Sequence, residues 1–237
     1  MRRAVVSVGT NRYSQGMLRL IGSVVKYDPD CNFAGWTSLP DDWPTHEAKP
    51  YAFKAHALQT ASLGADLLLW ADAAVVVVKP LAPLWERIEQ DGYWISCNGW
   101  TNYEWTADSA YPDLFPHLTL ETARIVNKRF PQVLATTFGL NVKHPIGRKF
   151  LEEYFRLSNT NAFCGPWTNT NNPDALKHWR QDAARMGPCG PPDVIGHRHD
   201  QTAASVLAWH LQMKLTSGEI FGYPPGDAKT ILMAVGA

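Results

Sequence analysis

The sequence predicts a single α/β domain in which helices flank a mostly parallel central sheet. Through the N-terminal half, short apolar runs rich in β-branched side chains alternate with longer stretches of helical periodicity, and this alternation is typical of parallel sheets. The chain has 237 residues, of which 45% are hydrophobic, and that length suits one large domain. The sequence contains no repeat, low-complexity tract or linker that would divide it.

The N-terminal half supplies this alternation in order. Apolar runs predict strands at residues 4–8, 32–37, 66–71, 73–78 and 92–98. Between them, helical periodicity predicts helices at residues 14–27 and 81–90, and another that Pro50 begins and Gly64 ends. Because a helix separates successive strands everywhere except between the adjacent runs at residues 66–71 and 73–78, the strands are expected to pair mostly in parallel.

The C-terminal half is less regular. Helices are predicted at residues 120–130 and 147–157, and a strand at residues 135–142. Residues 163–192 are rich in Pro, Gly and Asn, and a loop of this length within a compact domain is often a lid or a binding loop. We therefore expect this segment to take part in acceptor recognition.

Charge and cysteine content count against several classes of protein, although a local basic patch stays possible. Lys and Arg together number 22, as do Asp and Glu, so the formal net charge is zero. No global positive field marks the chain as a nucleic-acid or membrane-surface binder. The four cysteines form no CxxC pair, which favours reduced structural thiols. No apolar run reaches the ~18 residues of a membrane helix, so we expect a cytoplasmic protein without a membrane or protein partner.

Polar residues follow the first predicted strand directly. The segment Gly9-Thr10-Asn11-Arg12-Tyr13 comes after the strand at residues 4–8, and ligands of open α/β sheets bind at the carboxyl ends of the strands. Gly9 would let a ligand approach the backbone, Arg12 would pair with phosphate, and Tyr13 would stack on a base. The alternative is an ordinary turn into the helix that follows.

Two further charged residues occupy unusual positions. Asp72 follows the apolar run LLLWA, where it would bind a divalent cation or a ribose, or else cap a helix or form a loop salt bridge. Lys54 lies in the first turn of the helix that Pro50 begins. A cation there is unfavourable against the helix dipole unless an anion lies nearby. The alternative for Lys54 is an ordinary surface lysine.

The segment GHRHDQ brings three titratable residues together before an apolar helix. Asp200 is predicted to be the N-cap of this helix, whose inner face would hold small and apolar residues. His197 and His199 lie two residues apart in the preceding turn, so they can share a side. One of them would ligate a metal or donate to a phosphate. The alternative is a helix cap with two histidines that brace the loop.

Taken together, these segments resemble a known family. In chain order they are the Gly-Thr-Asn-Arg-Tyr turn, PYAFKAHALQTASLGADLLLWADA, GWTNYEWTAD, FGLNV and GHRHDQTAASVLA. The sequence resembles the GT-A-type nucleotide-diphosphosugar glycosyltransferases over residues 4–215, in particular little-characterised bacterial and viral members. LLWADA and HRHDQ are the most specific parts of this resemblance.

The resemblance implies a fold and a donor site. The fold would be one Rossmann-like GT-A domain, with residues 1–98 as the nucleotide-sugar-binding half and residues 99–237 as the acceptor-side half. The donor would be a UDP-sugar or a similar compound, and the activity would be hexosyl transfer. The residues implied in donor binding are Gly9, Thr10, Arg12, Tyr13, Lys54, Asp72, Trp105 and His197.

The resemblance also implies catalytic and metal-binding roles. Asp72 would match the first Asp of the family's DxD motif, and His199 the late histidine that completes a metal site in some members. Asp200 or Asp108 would lie near the acceptor as the catalytic base, with His199 beside them. The aromatic segment at residues 100–105 would cover the sugar or receive the acceptor.

One departure from the family pattern concerns the metal. Ala74 stands where DxD has its second carboxylate. A Mn²⁺ or Mg²⁺ ion would then depend on Asp72, His199 and the diphosphate oxygens. The alternative is a metal-independent enzyme in which Lys54, Arg12 and histidine donors balance the charge of the leaving diphosphate.

The acceptor and the stereochemistry stay open at the level of sequence. A hydroxymethylated DNA base, a glycan, a small molecule and a protein are all compatible with it. Two functions from other classes remain as alternatives: a non-catalytic nucleotide-sugar-binding protein, and a metal-dependent hydrolase or nucleotidyltransferase. The glycosyltransferase hypothesis requires that Asp72, His199 and Asp200 meet in one cleft.

Overall fold

The computed structural model describes residues 1–178, 183–217 and 220–236. The strands are β1 (Arg3–Val8), β2 (Asn32–Trp36), β3 (Leu67–Ala71), β4 (Val75–Val77), β5 (Tyr93–Thr101), β6 (Pro131–Asn141), β7 (Thr168–Asn169), β8 (Met186–Gly187), β9 (Thr216–Ser217), β10 (Phe221–Gly222) and β11 (Leu232–Ala234). The helices are α1 (Ser14–Tyr27), α2 (Ala52–Ala61), α3 (Ala82–Asp91), α4 (Tyr111–Leu114), α5 (Leu120–Asn127), α6 (Pro145–Ser158), α7 (Pro173–His178) and α8 (His199–His210). Among these helices none is long and apolar enough to cross a membrane.

The central sheet has the strand order β2-β1-β3-β6-β5-β9. Strand β1 pairs in parallel with β2 and β3, and β5 pairs in parallel with β9. Strand β6 runs antiparallel to both of its neighbours, β3 and β5. The predicted fold class is therefore confirmed as α/β with a mostly parallel sheet, into which one reversed strand is inserted.

Helices cover both faces of this sheet, so its inner strands are apolar on both sides. All five residues of β3 are buried, as expected for a parallel strand in the middle of an α/β sheet. Leu68 and Trp70 join the core formed with α2, α6 and α8, whereas Leu67 and Leu69 join the core formed with α1 and α3. This alternation follows from the two-residue period of a strand.

Strands β4, β10 and β11 form a separate small sheet outside the central one. The apolar run predicted at residues 73–78 forms the three-residue strand β4, which pairs antiparallel with β11, and β11 pairs in parallel with β10. The run therefore does not extend β3: the chain turns at Asp72, where the Val75 amide hydrogen-bonds to the Asp72 carbonyl at 2.9 Å. This turn leaves the end of β3 open to the cleft.

The start of α8 differs from the sequence prediction. The helix begins at His199 with Arg198 in the N-cap position, and no side chain caps it. Asp200 is consequently not the N-cap. Its carboxylate points into the protein, where it pairs with Lys54. Burial explains this outcome, because residues from Thr202 through Ala208 are enclosed by the core and the helix has no solvent-facing side along this stretch.

The segment predicted as a lid or binding loop, residues 163–192, contains β7, α7 and β8. Residues 179–182 lie outside the described part of the chain. Strands β7 and β8 pair in parallel, and the buried Asn169 fastens this segment. Its side-chain amide donates to the carbonyls of Pro191 at 2.9 Å and Val194 at 2.8 Å, which anchors the approach to α8.

Two glycines in helices give a matched test of the packing. A Cβ on Gly147, near the start of α6, would lie 2.3 Å from the Asn141 carbonyl oxygen and 2.5 Å from that of Gly92, whereas one on Gly22 in α1 meets nothing within 4 Å. We expect Gly147→Ala to destabilise the fold by about 2 kcal/mol, because backbone has to move, and Gly22→Ala to stabilise it by roughly 0.5–1 kcal/mol. Urea unfolding measures both, and equal effects would contradict this packing.

Candidate active site

A cleft opens at the carboxyl ends of β1 and β3 and consists of two adjoining cavities. The outer chamber, of about 650 Å³, is lined by the turn after β1, by Asp72–Ala74 and by Arg185. The inner chamber, of about 270 Å³, is lined by α8, β6 and aromatic side chains. Tyr51, Asp72 and Trp167 border both chambers. Together the two volumes lie in the range of small-molecule and cofactor sites.

The turn after β1 forms one wall of the outer chamber. Thr10, Arg12 and Tyr13 line it, as the sequence suggested. The Arg12 guanidinium donates to the Tyr13 hydroxyl at 2.9 Å and lies 4.9 Å from the centre of its ring. A planar cation held on an aromatic ring is suited to an anionic ligand that carries a base.

Gly9 is needed for the packing of the turn after β1, whereas the sequence predicted that it lets a ligand approach the backbone. A Cβ at this position would lie 2.7 Å from the Met17 Cβ and 2.9 Å from the Tyr13 carbonyl oxygen. Glycine is therefore needed so that the turn can close onto α1. Gly9 does not line either chamber, so its expected contact with a ligand is not provided by this arrangement.

A buried lysine links the two carboxylates of the cleft. The Lys54 ammonium lies 2.9 Å from Asp72 Oδ1 and 2.9 Å from Asp200 Oδ2, and it donates to the Ala135 carbonyl at 3.0 Å. The side chain is only 3% exposed. Lys54 is thus not a surface lysine. A cation in the first turn of α2 needs a nearby anion, and Asp72 and Asp200 are the anions that accompany it. The HRHD segment and the end of β3 meet at one ammonium group.

Burial raises the pKa of Asp200, so this side chain is a weaker acid than an ordinary aspartate. Desolvation raises the pKa of Asp200 to about 6, against the opposing attraction of Lys54 and with a further contribution from the Asp72 charge. Desolvation alone would lower the pKa of Lys54, but the charges of Asp200 and Asp72 outweigh it and raise that pKa above its usual range. Two carboxylates share one buried cation. Burial therefore disfavours the ionised form of the more enclosed carboxylate, which is Asp200.

Three cleft residues have a left-handed backbone without being glycine. The φ angles of Asn11, Tyr51 and His199 are 51°, 61° and 48°, and each residue lines one of the chambers. This conformation costs free energy for a residue with a Cβ and is concentrated at functional sites. Tyr51 immediately precedes α2, so its conformation also sets the direction from which Lys54 enters the cleft.

The two histidines of the HRHD segment have different environments. His197 is fully buried, accepts from the Ala107 amide at 3.2 Å through Nδ1, and contacts the Ala162 carbonyl at 3.0 Å through Nε2. Desolvation lowers its pKa to about 4. His197 therefore braces the loop and does not line either chamber.

His199, by contrast, lines the inner chamber. Its Nε2 faces the Gly165 carbonyl at 3.2 Å, whereas Nδ1 has no hydrogen-bond partner among the described residues. A carbonyl only accepts, so Nε2 carries the proton and Nδ1 presents a lone pair. Burial lowers the pKa of His199 well below its usual value, so the ring is neutral.

Aromatic and amide side chains complete the inner chamber. Trp105 lines it, and the Arg198 guanidinium lies 3.8 Å from the centre of the Trp105 ring. Sequence reasoning missed Arg198, Gln132 and Gln201, which line the same chamber. The position of Arg198 and Gln201 within the HRHDQ segment was an available signal. No such signal exists for Gln132, because the predicted strand begins at residue 135, three residues after it, whereas β6 begins at Pro131.

Asp108 lies away from this cluster. Its carboxylate forms a bidentate pair with the Arg124 guanidinium, in which Nε lies 3.0 Å from Oδ1. Asp108 lines neither chamber. The structure brings Asp72, His199 and Asp200 together in the inner chamber, and it does not bring Asp108 to them.

A divalent cation at Asp72 would have few ligands from the described part of the protein. Among the described residues no group of three or more His, Cys, Asp or Glu side chains could hold a metal ion. Asp72 Oδ1 already receives the Trp70 indole N–H at 2.8 Å and the Lys54 ammonium. The ammonium also repels a second cation beside it. These residues alone do not fit a protein-held metal, so the predicted metal role of Asp72 and His199 would depend on diphosphate oxygens to complete the ligand set.

No family model and no curated protein sequence matches the chain. Among solved structures, it is similar to a glycosyltransferase involved in the glycosylation of the major capsid of PBCV-1, with 13% identity, a TM-score of 0.44, and coverage of 69% of this chain and 70% of that chain. It is also similar to the galactosyltransferase LgtC in complex with donor and acceptor sugar analogs, with 12% identity, a TM-score of 0.48, and coverage of 98% and 86%. Identity this low leaves the activity to be argued from the cleft itself.

The Lys54 cluster predicts strongly non-additive effects on stability. We expect Lys54→Met to destabilise the fold by about 3 kcal/mol, because Asp200 is left buried without its cation. Adding Asp200→Asn should recover part of this loss, since the uncompensated charge is then gone. Urea unfolding of the two single variants and the double variant gives the coupling free energy. Lys177→Met, at an exposed lysine paired with exposed Asp174, is the control and should change stability by less than about 0.5 kcal/mol. Strictly additive costs would contradict the cluster.

Proposed function

We propose that this protein is a glycosyltransferase that moves a sugar from a nucleotide-diphosphosugar to a hydroxyl acceptor, with a UDP-sugar as the favoured donor. The observation that supports this function is the position of Asp72, whose carboxylate borders a nucleotide-sized outer chamber and a polar inner chamber. A ligand that spans both chambers has a nucleotide at one end and a small polar group at the other, and its reacting bond lies near Asp72.

The outer chamber suits the nucleotide. Tyr13 offers an aromatic face to the base, and Arg12 and Arg185 line the same chamber with positive charge. Arg185 also lies 4.9 Å from the centre of the Trp167 ring at the border between the chambers. Guanidinium groups bind phosphate oxygens in a bidentate manner, so these residues are suited to the diphosphate.

In the proposed reaction, the bond between the anomeric carbon and the diphosphate oxygen breaks, and its electron pair leaves with the nucleoside diphosphate. The acceptor oxygen forms the new bond to the anomeric carbon and loses its proton. Asp200 is the proposed base, because its carboxylate lines the inner chamber and its pKa of about 6 lies near neutral pH. Lys54 keeps this carboxylate in position, and Asp72 and Lys54 set the field at the reacting carbon.

The charge that develops on the leaving diphosphate is balanced in this proposal by the protein's own cations. Arg12 and Arg185 line the outer chamber, and the Lys54 ammonium lies beside Asp72 at the border. Ala74 removes the second carboxylate on which a metal site would depend, and the cationic side chains take its place. No step of the proposed reaction passes through a metal ion.

Donor binding provides the first test of the proposed function. A ligand that binds only the folded protein stabilises it by RT ln(1 + [L]/Kd), so a UDP-sugar is expected to raise Tm by several degrees, with the same shift in EDTA and in Mn²⁺. GDP-, CMP- and dTDP-sugars serve as comparisons. Arg12→Ala should reduce the shift, and the control Arg87→Ala, on α3 and paired with Asp91, should not. The absence of a shift with every donor would contradict the proposed function, and a shift that needs Mn²⁺ would contradict the metal-free charge balance.

The identity of the base predicts a pH dependence. Only ionised Asp200 can accept a proton, so kcat/KM for release of nucleoside diphosphate, with water as the acceptor, should rise with pH through about 6 and then level off. Asp200→Asn should lower the rate by roughly 10²–10⁴-fold and abolish this rise. Asp108→Asn, at the carboxylate paired with Arg124, should keep the profile. An unchanged profile in Asp200→Asn would exclude Asp200 as the base, and release of pyrophosphate would instead indicate a nucleotidyltransferase or hydrolase.

A further inference from the structure

The inner chamber contains a row of three amide side chains. The sequence motifs do not point to a role for them, and the proposed reaction gives them none. Gln132 is 1% exposed and lies in β6. Its Oε1 accepts from Asn98 Nδ2 at 3.0 Å and from Gln201 Nε2 at 2.8 Å. Because both of these neighbours are amide N–H donors, the orientation of the Gln132 amide is fixed, with oxygen toward the two donors. All three residues line the inner chamber.

This arrangement leaves a buried donor without a partner. Gln132 Nε2 has no hydrogen-bond partner among the described residues. A buried, unpaired N–H group costs free energy, and such groups in folded proteins usually have a ligand, an ion or a water to satisfy them. Turning the amide over would not relieve this cost, because two N–H groups would then face the donors of Asn98 and Gln201.

A second unpaired atom in the same chamber has the opposite character. His199 Nδ1 presents a lone pair and has no partner among the described residues. Among the described residues, the chamber therefore offers an orphan donor at Gln132 Nε2 and an orphan acceptor at His199 Nδ1. A phosphate oxygen or a carboxylate only accepts, and an ammonium only donates, whereas a hydroxyl group does both.

Charge and aromatic content point in the same direction. The charged side chains among the described residues that line the chamber are Lys54, Arg198, Asp72 and Asp200, so their formal charges cancel. Trp100, 42% exposed, and Tyr223, 64% exposed, stand at its open side. A chamber with balanced charge, orphan groups of both kinds and aromatic faces suits a neutral ring that carries several hydroxyl groups.

From these observations we infer that the inner chamber holds the transferred sugar as a neutral polyhydroxyl ring, and that Gln132 is a specificity-determining residue that donates from Nε2 to one of its hydroxyl oxygens. This inference rests on the proposed function, because a nucleotide in the outer chamber carries its sugar past Asp72 into the inner one. Asn98 and Gln201 act as positioning residues that hold the Gln132 amide in the donating orientation.

The test compares UDP with UDP-sugars, so that it separates the sugar from the nucleotide. Calorimetry on the purified chain gives the Kd of UDP, UDP-glucose and UDP-galactose. For one of the two sugars, Gln132→Met should weaken binding by roughly three- to tenfold, because one hydrogen bond is lost. The Kd of UDP should stay within error. Gln90→Met, at an exposed glutamine on α3, is the matched control and should change none of the three values.

A second variant keeps the result interpretable if Gln132→Met perturbs the fold. Gln132→Glu keeps an oxygen for Asn98 and Gln201 and replaces the orphan donor with an acceptor, so it should weaken the same UDP-sugar and spare UDP. Equal losses for UDP and both UDP-sugars, or no loss for either sugar, would overturn the role of Gln132. Failure of the wild-type protein to bind UDP and both UDP-sugars would instead count against the proposed function itself.

Discussion

The ammonium group of Lys54 is the point at which the separate parts of the cleft are joined. It comes from α2, and it meets Asp72 after β3, Asp200 in α8 and the carbonyl of Ala135 in β6. A buried cation is costly unless it is paired and hydrogen-bonded. Each of these elements must therefore take its native position before the lysine is satisfied, and the geometry of the two cleft carboxylates is fixed by the same contacts that complete the fold.

The left-handed backbone at Tyr51 and His199 is consistent with this constraint. Both residues border helices that bring a member of the ion cluster into the cleft: Tyr51 precedes α2 and Lys54, and His199 precedes Asp200 at the start of α8. Strained conformations persist where the surrounding structure over-determines them. The ion pairs of Lys54 hold these conformations in place, since relaxing the backbone at Tyr51 or His199 would pull Lys54 or Asp200 away from its partners.

Much of the fold could be predicted from the sequence, and so could the positions of Asp72 and Asp200 at the ends of their elements, because both depend on local sequence pattern. The periodicity of residues 14–27 matches α1, and the apolar run before Asp72 matches β3. The reversed direction of β6 did not follow, since a strand has the same apolar pattern in either direction. The inward turn of Asp200 was missed because local N-cap preference favours a carboxylate at a helix start, whereas the tertiary demand of Lys54 outweighs that preference.

The residues that sequence reasoning missed have one property in common: their significance is pairwise. Gln132 is an ordinary polar residue until Asn98 and Gln201 occupy its oxygen and leave its nitrogen without a hydrogen-bond partner in the described part of the chain. Arg198 becomes part of the cleft because the Trp105 ring lies beneath it. The same principle applies to Ala74. Its methyl group suggests a lost metal ligand when the motif is considered alone, but it also lines the outer chamber with Asp72 without adding a charge to the two carboxylates that pair with Lys54.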